Sequence, residues 1–411
     1  MGIAHPHKMD CMNTQHTQTR IITASLIMLM ALLTALDSMA IDMYLPAMPD
    51  IASDFQISSG KVQQTLAIFL AGLAIGQGLY GPLLDRYGRR LPLLIGIVIF
   101  IIGSVLSALV PNVEWMLAAR FIQAIGASAG LVTPRAIVSD TCDLKDSARV
   151  FSLLMNAMML GPILAPMLGG FVLGFGEWRV IFYIIAIIGG ITLLWAWQQV
   201  PETLAIEKRT PLNLKAIAKT YGGQFTNRTF MCYAMASGFA MSGLFLYVGG
   251  SSFIFREHFA LSATHFSYLF ALNSAGLVIF GAVANRLLVK GLSARGLLMI
   301  GMMMHTGFAL LLFILTQSMT LSIVPYALLL AGAISALGFV LGNVTALTMH
   351  YGGPQAGAVS AVMGVLQYLL PALMGYVVSL FAQSISVLPL AIGICGLMGI
   401  LFIFASQDKT A

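Results

Sequence analysis

Gly81-Pro82-Leu83-Leu84-Asp85-Arg86-Tyr87-Gly88-Arg89-Arg90 is a short charged stretch between two long apolar runs. The runs near 62–84 and 91–110 lie on either side of it, so it must form a tight loop between two helices. Gly88 permits a sharp reversal of the backbone, and the charges can pair with neighbouring helix ends. A weaker copy, Gly281-Ala282-Val283-Ala284-Asn285-Arg286, ends an apolar run in the second half. The sequence therefore indicates two related halves.

The composition excludes an ordinary soluble protein. The chain has 411 residues, of which 59% are hydrophobic and only 9% are charged, whereas a soluble domain is nearer a quarter charged. The apolar runs have the length that a helix needs to cross a ~30 Å hydrocarbon core. We predict an all-α integral membrane protein with twelve transmembrane helices in two pseudo-symmetric six-helix bundles. The spans lie near 21–46, 62–84, 91–110, 114–138, 147–174, 178–200, 229–254, 263–288, 294–316, 320–345, 355–381 and 386–405.

The connections between spans are short, apart from the one between the sixth and the seventh. The predicted organisation is a cytoplasmic tail, a bundle, a cytoplasmic linker with a short amphipathic surface helix, a second bundle and a second tail. Their bounds are 1–20, 21–200, 201–228, 229–405 and 406–411. Lys and Arg residues concentrate on the side of both termini, which places both termini in the cytoplasm. Parallel six-span repeats predict a cavity between the halves at mid-membrane depth.

The spacing of the cysteines and the lack of catalytic and nucleotide-binding motifs narrow the range of possible functions. Cys11, Cys142, Cys232 and Cys395 are far apart, so we expect free thiols. The polar tail holds Cys11 and histidines, but a flexible tail is favoured over a metal site. The sequence contains no nucleophile–base constellation and no Gly-rich loop ending in Lys-Ser or Lys-Thr. We therefore expect no enzyme, no bound cofactor and no nucleic-acid partner, with the lipid bilayer as the surroundings.

Two carboxylates, Asp37 and Asp42, interrupt the first apolar run. A carboxylate near mid-bilayer costs about 2.5–3.5 kcal/mol of insertion free energy, so two carboxylates in one span indicate a functional role. All other Asp and Glu residues lie in tails, loops or the ends of spans. If the chain moves protons, these two are the only acidic carriers. They are about 140° apart around a helix, so we expect their roles to differ.

The charged loop resembles the signature loop of the major facilitator superfamily, and the resemblance covers nearly the whole chain. It implies that the loop takes part in conformational change and that a transmembrane gradient of protons, not ATP, supplies the energy. Asp140, at the end of the fourth span, belongs to the same predicted gating set. The loop residues of that set are Gly81, Asp85, Arg86, Gly88, Arg89 and Arg90.

The fourth span carries a charge of its own in Leu117-Ala118-Ala119-Arg120-Phe121-Ile122-Gln123-Ala124-Ile125-Gly126. This stretch resembles the buried-arginine motif of the superfamily, with Ala124 where glycine is common. The resemblance places Arg120 near the first-span acids and implicates it in proton transfer. A guanidinium in the membrane must be paired or hydrated. A structural arginine bonded to backbone carbonyls is the alternative.

The fifth span reads Gly161-Pro162-Ile163-Leu164-Ala165-Pro166-Met167-Leu168-Gly169-Gly170. Small residues at 161, 165 and 169 share one helix face and allow another backbone to approach. The two prolines bend the helix. The pattern is similar to the antiporter motif of drug exporters, which uptake members of the superfamily generally lack. We therefore assign Gly161, Pro162, Pro166, Gly169 and Gly170 to the predicted gating set.

Three further matches narrow the subfamily: Asp42-Met43-Tyr44-Leu45-Pro46, Pro134–Asp140, and Glu177–Phe182 with Pro201-Glu202-Thr203-Leu204 closing the first half. Together they resemble the Bcr/CflA family of drug:proton antiporters, which exports bicyclomycin, chloramphenicol-type and related drugs. Ser139 stands where the family has an arginine, which removes a charge beside Asp140. The family pattern includes Asp42 and makes it the first choice for the proton site. Four roles stay open for Asp37. It could bind cationic substrate, relay protons, pair with an arginine, or be a solvated residue near a water-filled vestibule.

We expect a proton-coupled multidrug exporter that works by alternating access, with a central cavity that opens in turn to the two sides of the membrane. Amphenicol-like or bicyclomycin-like drugs are the expected substrates, and a monomer in the bacterial inner membrane is the expected form. A proton-coupled symporter for a specific nutrient is the alternative. Polar residues in the spans are candidate substrate contacts, although helix-to-helix hydrogen bonds are their commoner use. The candidates are Tyr44, Gln123, Asn156, Tyr247, Asn273, Gln367 and Tyr368.

Overall fold

The computed structural model of the protein describes residues 23–141, 144–209, 222–353, 356–381 and 384–406. The N-terminal tail with Cys11, Cys142 and most of the C-terminal tail lie outside this part. On the fifth helix the backbone is described throughout, but the side chains of 144–149, 151–152 and 155–159 are not. The predicted substrate residue Asn156 is among them, so its side chain falls outside the described residues.

The described residues form twelve long helices, one at each predicted span. Eleven are long and apolar enough to cross a membrane, and the fifth contributes the shorter apolar segment Leu160–Leu173. The all-helical prediction is therefore confirmed. The helices are α1 (Ala24–Asp42), α2 (Ser59–Tyr87), α3 (Arg90–Leu109), α4 (Val113–Thr141), α5 (Leu144–Leu173), α6 (Arg179–Gln199), α7 (Arg228–Phe253), α8 (Ala263–Val289), α9 (Ala294–Ser318), α10 (Ile323–Tyr351), α11 (Ala356–Ser379) and α12 (Val387–Ala405).

Several helices begin at a polar residue whose side chain accepts a hydrogen bond from the first turn. The Ser58 hydroxyl caps α2, the Asn227 side chain caps α7, and the Ser262 hydroxyl caps α8. These oxygens satisfy backbone N–H groups that have no partner within the helix, and such a cap is worth about 1 kcal/mol. The polar residues between the apolar runs thus fix where the spans start.

The first span differs from its prediction. The sequence predicted a helix as far as residue 46, but α1 ends at Asp42 and is followed by a 3-10 turn, Leu45–Ala47, and a short helix, Met48–Asp54. Pro46 and Pro49 explain the break, because proline has no N–H to donate and cannot continue an α-helical ladder. The break leaves carbonyl oxygens without intrahelical partners directly after the second carboxylate.

The two halves are each packed as a bundle, and they meet through two helix pairs. In the first half α4 packs against α2 and α3, and α1 packs against α5 and α6; in the second half α7 packs against α10, α11 and α12. The halves meet where α2 packs on α11 and where α5 packs on α8. The fold is that of two six-helix bundles joined by a linker. The sequence predicted a surface helix within the linker 201–228, of which residues 210–221 lie outside the described residues.

The small face of α5 lies against α1, as its sequence predicted. A Cβ added at Gly161 would lie 2.8 Å from the Ser38 Cβ, and one at Gly169 would overlap the Met43 carbonyl oxygen. On the other side of the helix Gly170 faces Ser267 of α8, in the second half. Small residues therefore let α5 pack closely on the α1 break and on the opposite half at once.

Candidate functional site

The two carboxylates of α1 are both buried, each with only 4% of its surface exposed. Asp42 is the last residue of α1, immediately before the break in the helix, and Asp37 lies just over one turn earlier. The Asp37 Oδ1 atom has no hydrogen-bond partner. Burial of two such groups in an apolar bundle is expensive, which is typical of a functional site in a membrane protein.

Asp42 faces a hydrogen-bonded pair from the second half. The Tyr247 hydroxyl of α7 interacts electrostatically with Asp42 and accepts a hydrogen bond of 2.9 Å from Asn273 Nδ2 of α8. The Tyr247 ring stacks on Phe270, with ring centroids 5.1 Å apart. Two of the predicted substrate residues, Tyr247 and Asn273, therefore contact each other beside the carboxylate of the opposite half.

Asp37 has different surroundings. It interacts electrostatically with Arg135 of α4, and both charges interact with the Tyr368 hydroxyl of α11. The two carboxylates therefore have different electrostatic neighbours, and the distinct roles expected from the angle between them stay a prediction. Arg135 was missed as a site residue. The signal for it was that Arg135 and Arg120 are the charges left inside the fourth span once the loops are assigned.

Arg120 lies in an aromatic cage and forms no ion pair with a carboxylate of the described residues. It is fully buried, and its guanidinium carbon lies 4.4 Å from the ring centroid of Tyr44 and 4.2 Å from that of Phe69. Cation–π contacts of this kind favour a desolvated guanidinium. Its Nη1 atom donates to Gln123 Oε1 at 2.6 Å, while Nε and Nη2 have no partner. The cage thus touches Tyr44, two residues beyond Asp42.

The remaining candidate substrate residues differ in their burial and in whether their polar atoms already have hydrogen-bond partners. Tyr44 and Gln123 are fully buried against Arg120, and the Gln123 amide also donates to Ser104 Oγ at 2.8 Å. Gln367 of α11 donates to Ser237 Oγ of α7 at 2.8 Å, a helix-to-helix hydrogen bond. Tyr368 is half-buried and has no hydrogen bond to the described residues. In this conformation Tyr368 is therefore the candidate with the most unused polar capacity.

The signature loop forms one charged cluster at the ends of α2, α3, α4 and α6. Arg89 donates to Asp140 at 2.8 and 3.2 Å and to Asp85 at 2.9 Å. Burial disfavours the Arg89 cation, but its hydrogen bonds with Asp140 and Asp85 outweigh burial and raise its pKa above the ordinary value. The serine at 139 therefore leaves the Asp140 ion pair intact. Asp85 and Arg86 themselves are exposed.

Glu202, which the sequence did not single out, completes this cluster. Its carboxylate accepts from the backbone N–H of Arg89 at 2.9 Å and of Arg90 at 3.4 Å. Gly88 has a φ of 89°, and a Cβ there would overlap the same carboxylate. Glycine is thus required at 88 both for the left-handed backbone and for space. The signal in the sequence was the Pro201-Glu202-Thr203-Leu204 stretch that closes the first half.

Asp140→Asn is expected to destabilise the protein by about 3 kcal/mol, because it leaves the buried Arg89 guanidinium without its main partner. The measurement is denaturant unfolding of the purified protein in lipid nanodiscs. Glu207→Gln, a change of one exposed carboxylate in the linker, is the matched control. Equal unfolding curves for the Asp140 variant and the control would contradict this role of Arg89.

A second polar cluster joins the two halves at the ends opposite the signature loop. Arg256, in the π-helical turn Ile254–His258 that follows α7, donates to Asp50 at 2.8 and 3.2 Å and also to the Pro46 carbonyl. Ser252 donates to the Leu45 carbonyl at 2.6 Å. The carbonyls exposed by the α1 break are therefore satisfied by the opposite half. This arrangement closes the side of the protein opposite the signature loop.

Most of the chain matches one protein-family model. The family model described as Major Facilitator Superfamily matches residues 30–376. The chain belongs to the major facilitator superfamily. The paired bundles are thus the superfamily fold, and the protein is a transporter rather than an enzyme. No group of three or more His, Cys, Asp or Glu side chains able to hold a metal occurs in the described residues.

Relatives within the superfamily include transporters named for drug resistance. An uncharacterized MFS-type transporter, YdgK, of Bacillus subtilis (strain 168) is 36% identical over 371 residues, covering 89% of this chain and 90% of that protein. A bicyclomycin resistance protein homolog of Haemophilus influenzae (strain Rd) is 28% identical over 353 residues, covering 86% and 88%. The second likeness agrees with the Bcr/CflA-type motifs of the sequence.

A D-xylose-proton symporter is structurally similar, with a TM-score of 0.77 and 18% sequence identity, covering 94% of this chain and 98% of that chain. At this identity the likeness confirms the fold alone. The superfamily fold is therefore shared with a symporter, and the direction of transport has to be argued from the residues of this chain.

Proposed function

We propose that this protein exports small drugs in exchange for protons, by alternating access of a central site to the two sides of the membrane. The observation that carries the proposal is the pair of buried α1 carboxylates, placed at a helix break and each facing a tyrosine of the opposite half. A buried carboxylate can bind and release a proton, and its charge state changes what the opposite half contacts.

Asp42 is the proposed main proton site, with Asp37 as a second acidic group and Arg120 as the fixed charge nearby. Asp42 ends α1, and the next residues carry both the aromatic cage of Arg120 and the carbonyls that bind Ser252 and Arg256. A change of charge at Asp42 therefore acts on the chain segment that closes the outer side. Protonation from outside would favour release of substrate and return of the empty site.

Export rather than uptake is supported by two features. The α5 face of small residues packs on the α1 break, in the stretch that resembles the antiporter motif of drug exporters. A relative that matches most of the chain is named for bicyclomycin resistance. Uncharged antibiotics of the bicyclomycin or amphenicol type are the proposed substrates. The transmembrane proton gradient supplies the energy, with no bound cofactor.

The proposed setting is a monomer in the bacterial inner membrane with both termini in the cytoplasm. Lys and Arg residues lie mainly on the side of the signature loop, which gives this orientation. The two bundles, 21–200 and 229–405, would move against each other about the packed pairs α2–α11 and α5–α8, with the linker 201–228 between them. Polar residues from both bundles line the substrate path.

The test is a flux assay in liposomes that contain the purified protein and a trapped pH dye. Addition of chloramphenicol on one side is expected to move protons in the opposite direction, because antiport exchanges the two. Proton movement in the same direction as the drug would support the symporter instead. Drug movement that is indifferent to an imposed pH gradient would contradict proton coupling.

A further inference from the structure

Asp37, Arg135 and Tyr368 form a polar cluster in which the proposed proton cycle gives no role to Arg135 or Tyr368. The helices α1 and α4 are antiparallel and approach closely at Gly130, where an added Cβ would lie 2.6 Å from the Leu33 carbonyl oxygen. Asp37 and Arg135 lie on opposite sides of this contact along the membrane normal. Since helical side chains lean toward the N-terminus of their own helix, the two side chains lean toward each other.

The cluster has unused hydrogen-bonding capacity. The buried Asp37 Oδ1 atom has no partner, although a carboxylate oxygen in a dry site normally accepts hydrogen bonds. Asp37 and Arg135 attract each other without forming an ion pair. Neither Arg135 nor Tyr368 donates a hydrogen bond to any side chain or carbonyl in the part of the chain that the structure describes, and both are half-buried. A buried acceptor without a partner therefore lies in one cluster with two sets of donors that it does not bind.

The second half contributes aromatic rings beside this cluster. The Tyr368 ring lies 5.9 Å from the ring of Phe245 on α7, in a tilted arrangement. Flat apolar surface beside a few convergent polar groups is typical of small-molecule sites. Because α1 and α4 belong to one bundle and α7 and α11 to the other, a molecule held here would touch both halves.

We propose that Asp37, Arg135 and Tyr368 bind the exported molecule, and that this subsite selects uncharged aromatic compounds carrying both a hydrogen-bond donor and an acceptor. The inference rests on the proposed function and specifies its substrate class. The ligand's donor would reach Asp37, its acceptor would reach Arg135 or Tyr368, and its ring would lie against Tyr368 and Phe245.

The charge balance explains the preference for uncharged compounds. A buried carboxylate alone attracts cations, as isolated charges in low dielectric act strongly on one another. Arg135 supplies an opposite charge at the same cluster, which repels a cation and cancels the attraction. A neutral molecule with a donor and an acceptor binds both side chains, whereas a cation binds only Asp37 and leaves the half-buried Arg135 guanidinium without a partner beside another positive charge.

The experiment compares equilibrium binding of two probes to the full-length protein in lipid nanodiscs, without a gradient. Chloramphenicol is the uncharged probe, with hydroxyl donors, an amide acceptor and an aromatic ring; tetraphenylphosphonium is the aromatic cation. For Arg135→Gln the ratio of cation affinity to chloramphenicol affinity is expected to rise at least about tenfold, because the negative charge of Asp37 is then unopposed. Asp37→Asn is expected to lower this ratio.

Matched variants separate the charge effect from damage to the fold. Arg135→Lys retains the charge and is expected to keep the ratio of the wild type, and the Asp37→Asn/Arg135→Gln double variant is expected to return close to it. Lys61→Gln removes one positive charge from the exposed start of α2 and is expected to change nothing. If Arg135→Gln does not fold, a lowered ratio in Asp37→Asn beside an unchanged ratio in Arg135→Lys carries the same test.

An unchanged ratio in Arg135→Gln or in Asp37→Asn would overturn the subsite, as would a wild type that binds no chloramphenicol. These results are distinguishable from failure of the proposed function. Binding that responds to the variants as expected, in a protein that moves no protons, would reject proton-coupled export alone. Proton exchange that persists with unchanged binding ratios would reject the subsite alone.

Discussion

Asp42→Asn is expected to reduce proton-driven drug export at least about 100-fold, the lower range of what a positioned proton-transfer group contributes. The amide cannot take up a proton at this buried position, so the charge state that faces Tyr247 no longer changes. The amide is close in size to the carboxyl group and should leave the packing around α1 intact. The measurement is drug accumulation in energised everted membrane vesicles, corrected for the amount of protein.

Two comparisons make the Asp42 result interpretable. Glu114→Gln removes an exposed carboxylate at the start of α4 and is expected to leave export unchanged. Asp37→Asn is expected to retain proton coupling while changing the preference among substrates. Full export by Asp42→Asn, or an equal loss in the Glu114 control, would contradict the assignment of Asp42 as the main proton site.

Arg256→Gln is expected to open the outer side of the protein. The substitution removes two charge-assisted hydrogen bonds to Asp50, of 2.8 and 3.2 Å, and a third bond to the Pro46 carbonyl. Hydrogen bonds to charged groups are worth about 1.5–3 kcal/mol each when shielded from water, and less at the partly exposed Asp50 carboxylate. The ratio of closed to open protein should therefore fall roughly 10- to 100-fold. The π-helical turn that holds Arg256 is a form often found at functional sites.

The opening can be measured with a thiol reporter. Ser267 is buried on α8 against Gly170 of α5, so Ser267→Cys should react with a membrane-impermeant maleimide only when the outer ends separate. The reporter is placed in a background without the native cysteines. Arg256→Gln is expected to raise its labelling rate, and the charge exchange Asp50→Arg/Arg256→Asp is expected to lower the rate again.

Arg179→Gln is the matched control for the outer cluster. Arg179 also forms an outer ion pair, with Asp54 at 2.8 Å, but both residues belong to the first half. Its loss should therefore leave the reporter rate unchanged. Equal labelling rates in Arg256→Gln and Arg179→Gln would show that the contact between Arg256 and Asp50 does not hold the halves together.

The positions of the spans could be predicted from the sequence because length and hydropathy decide them. Runs of about 20 apolar residues leave few alternatives for a chain in a bilayer, and the small residues of α5 indicated its close packing. The predicted end of the first span, at residue 46, was wrong, although Pro46 and Pro49 were present in the sequence. The continuing apolar character hid the change from an α-helix to a 3-10 turn.

The partners of the charged residues could not be predicted in the same way. Asp37 and Arg135 come together through the crossing of α1 and α4, and Arg256 meets Asp50 through the pairing of the halves. Contacts so distant in sequence depend on helix rotation and tilt, which hydropathy does not specify. Arg120 shows the same limit, since its burial was predicted but its aromatic cage was not. Glu202 was visible only as part of a stretch with no assigned partner.

The most direct measurement of the central claim is uphill drug transport by proteoliposomes under an imposed pH gradient, comparing the wild type with the Asp37→Asn/Asp42→Asn double variant. The account predicts that the wild type accumulates chloramphenicol against its gradient while protons leave by the opposite route, and that the double variant does neither. Accumulation by the double variant at the rate of the wild type would contradict the claim that the acids of α1 couple protons to drug movement.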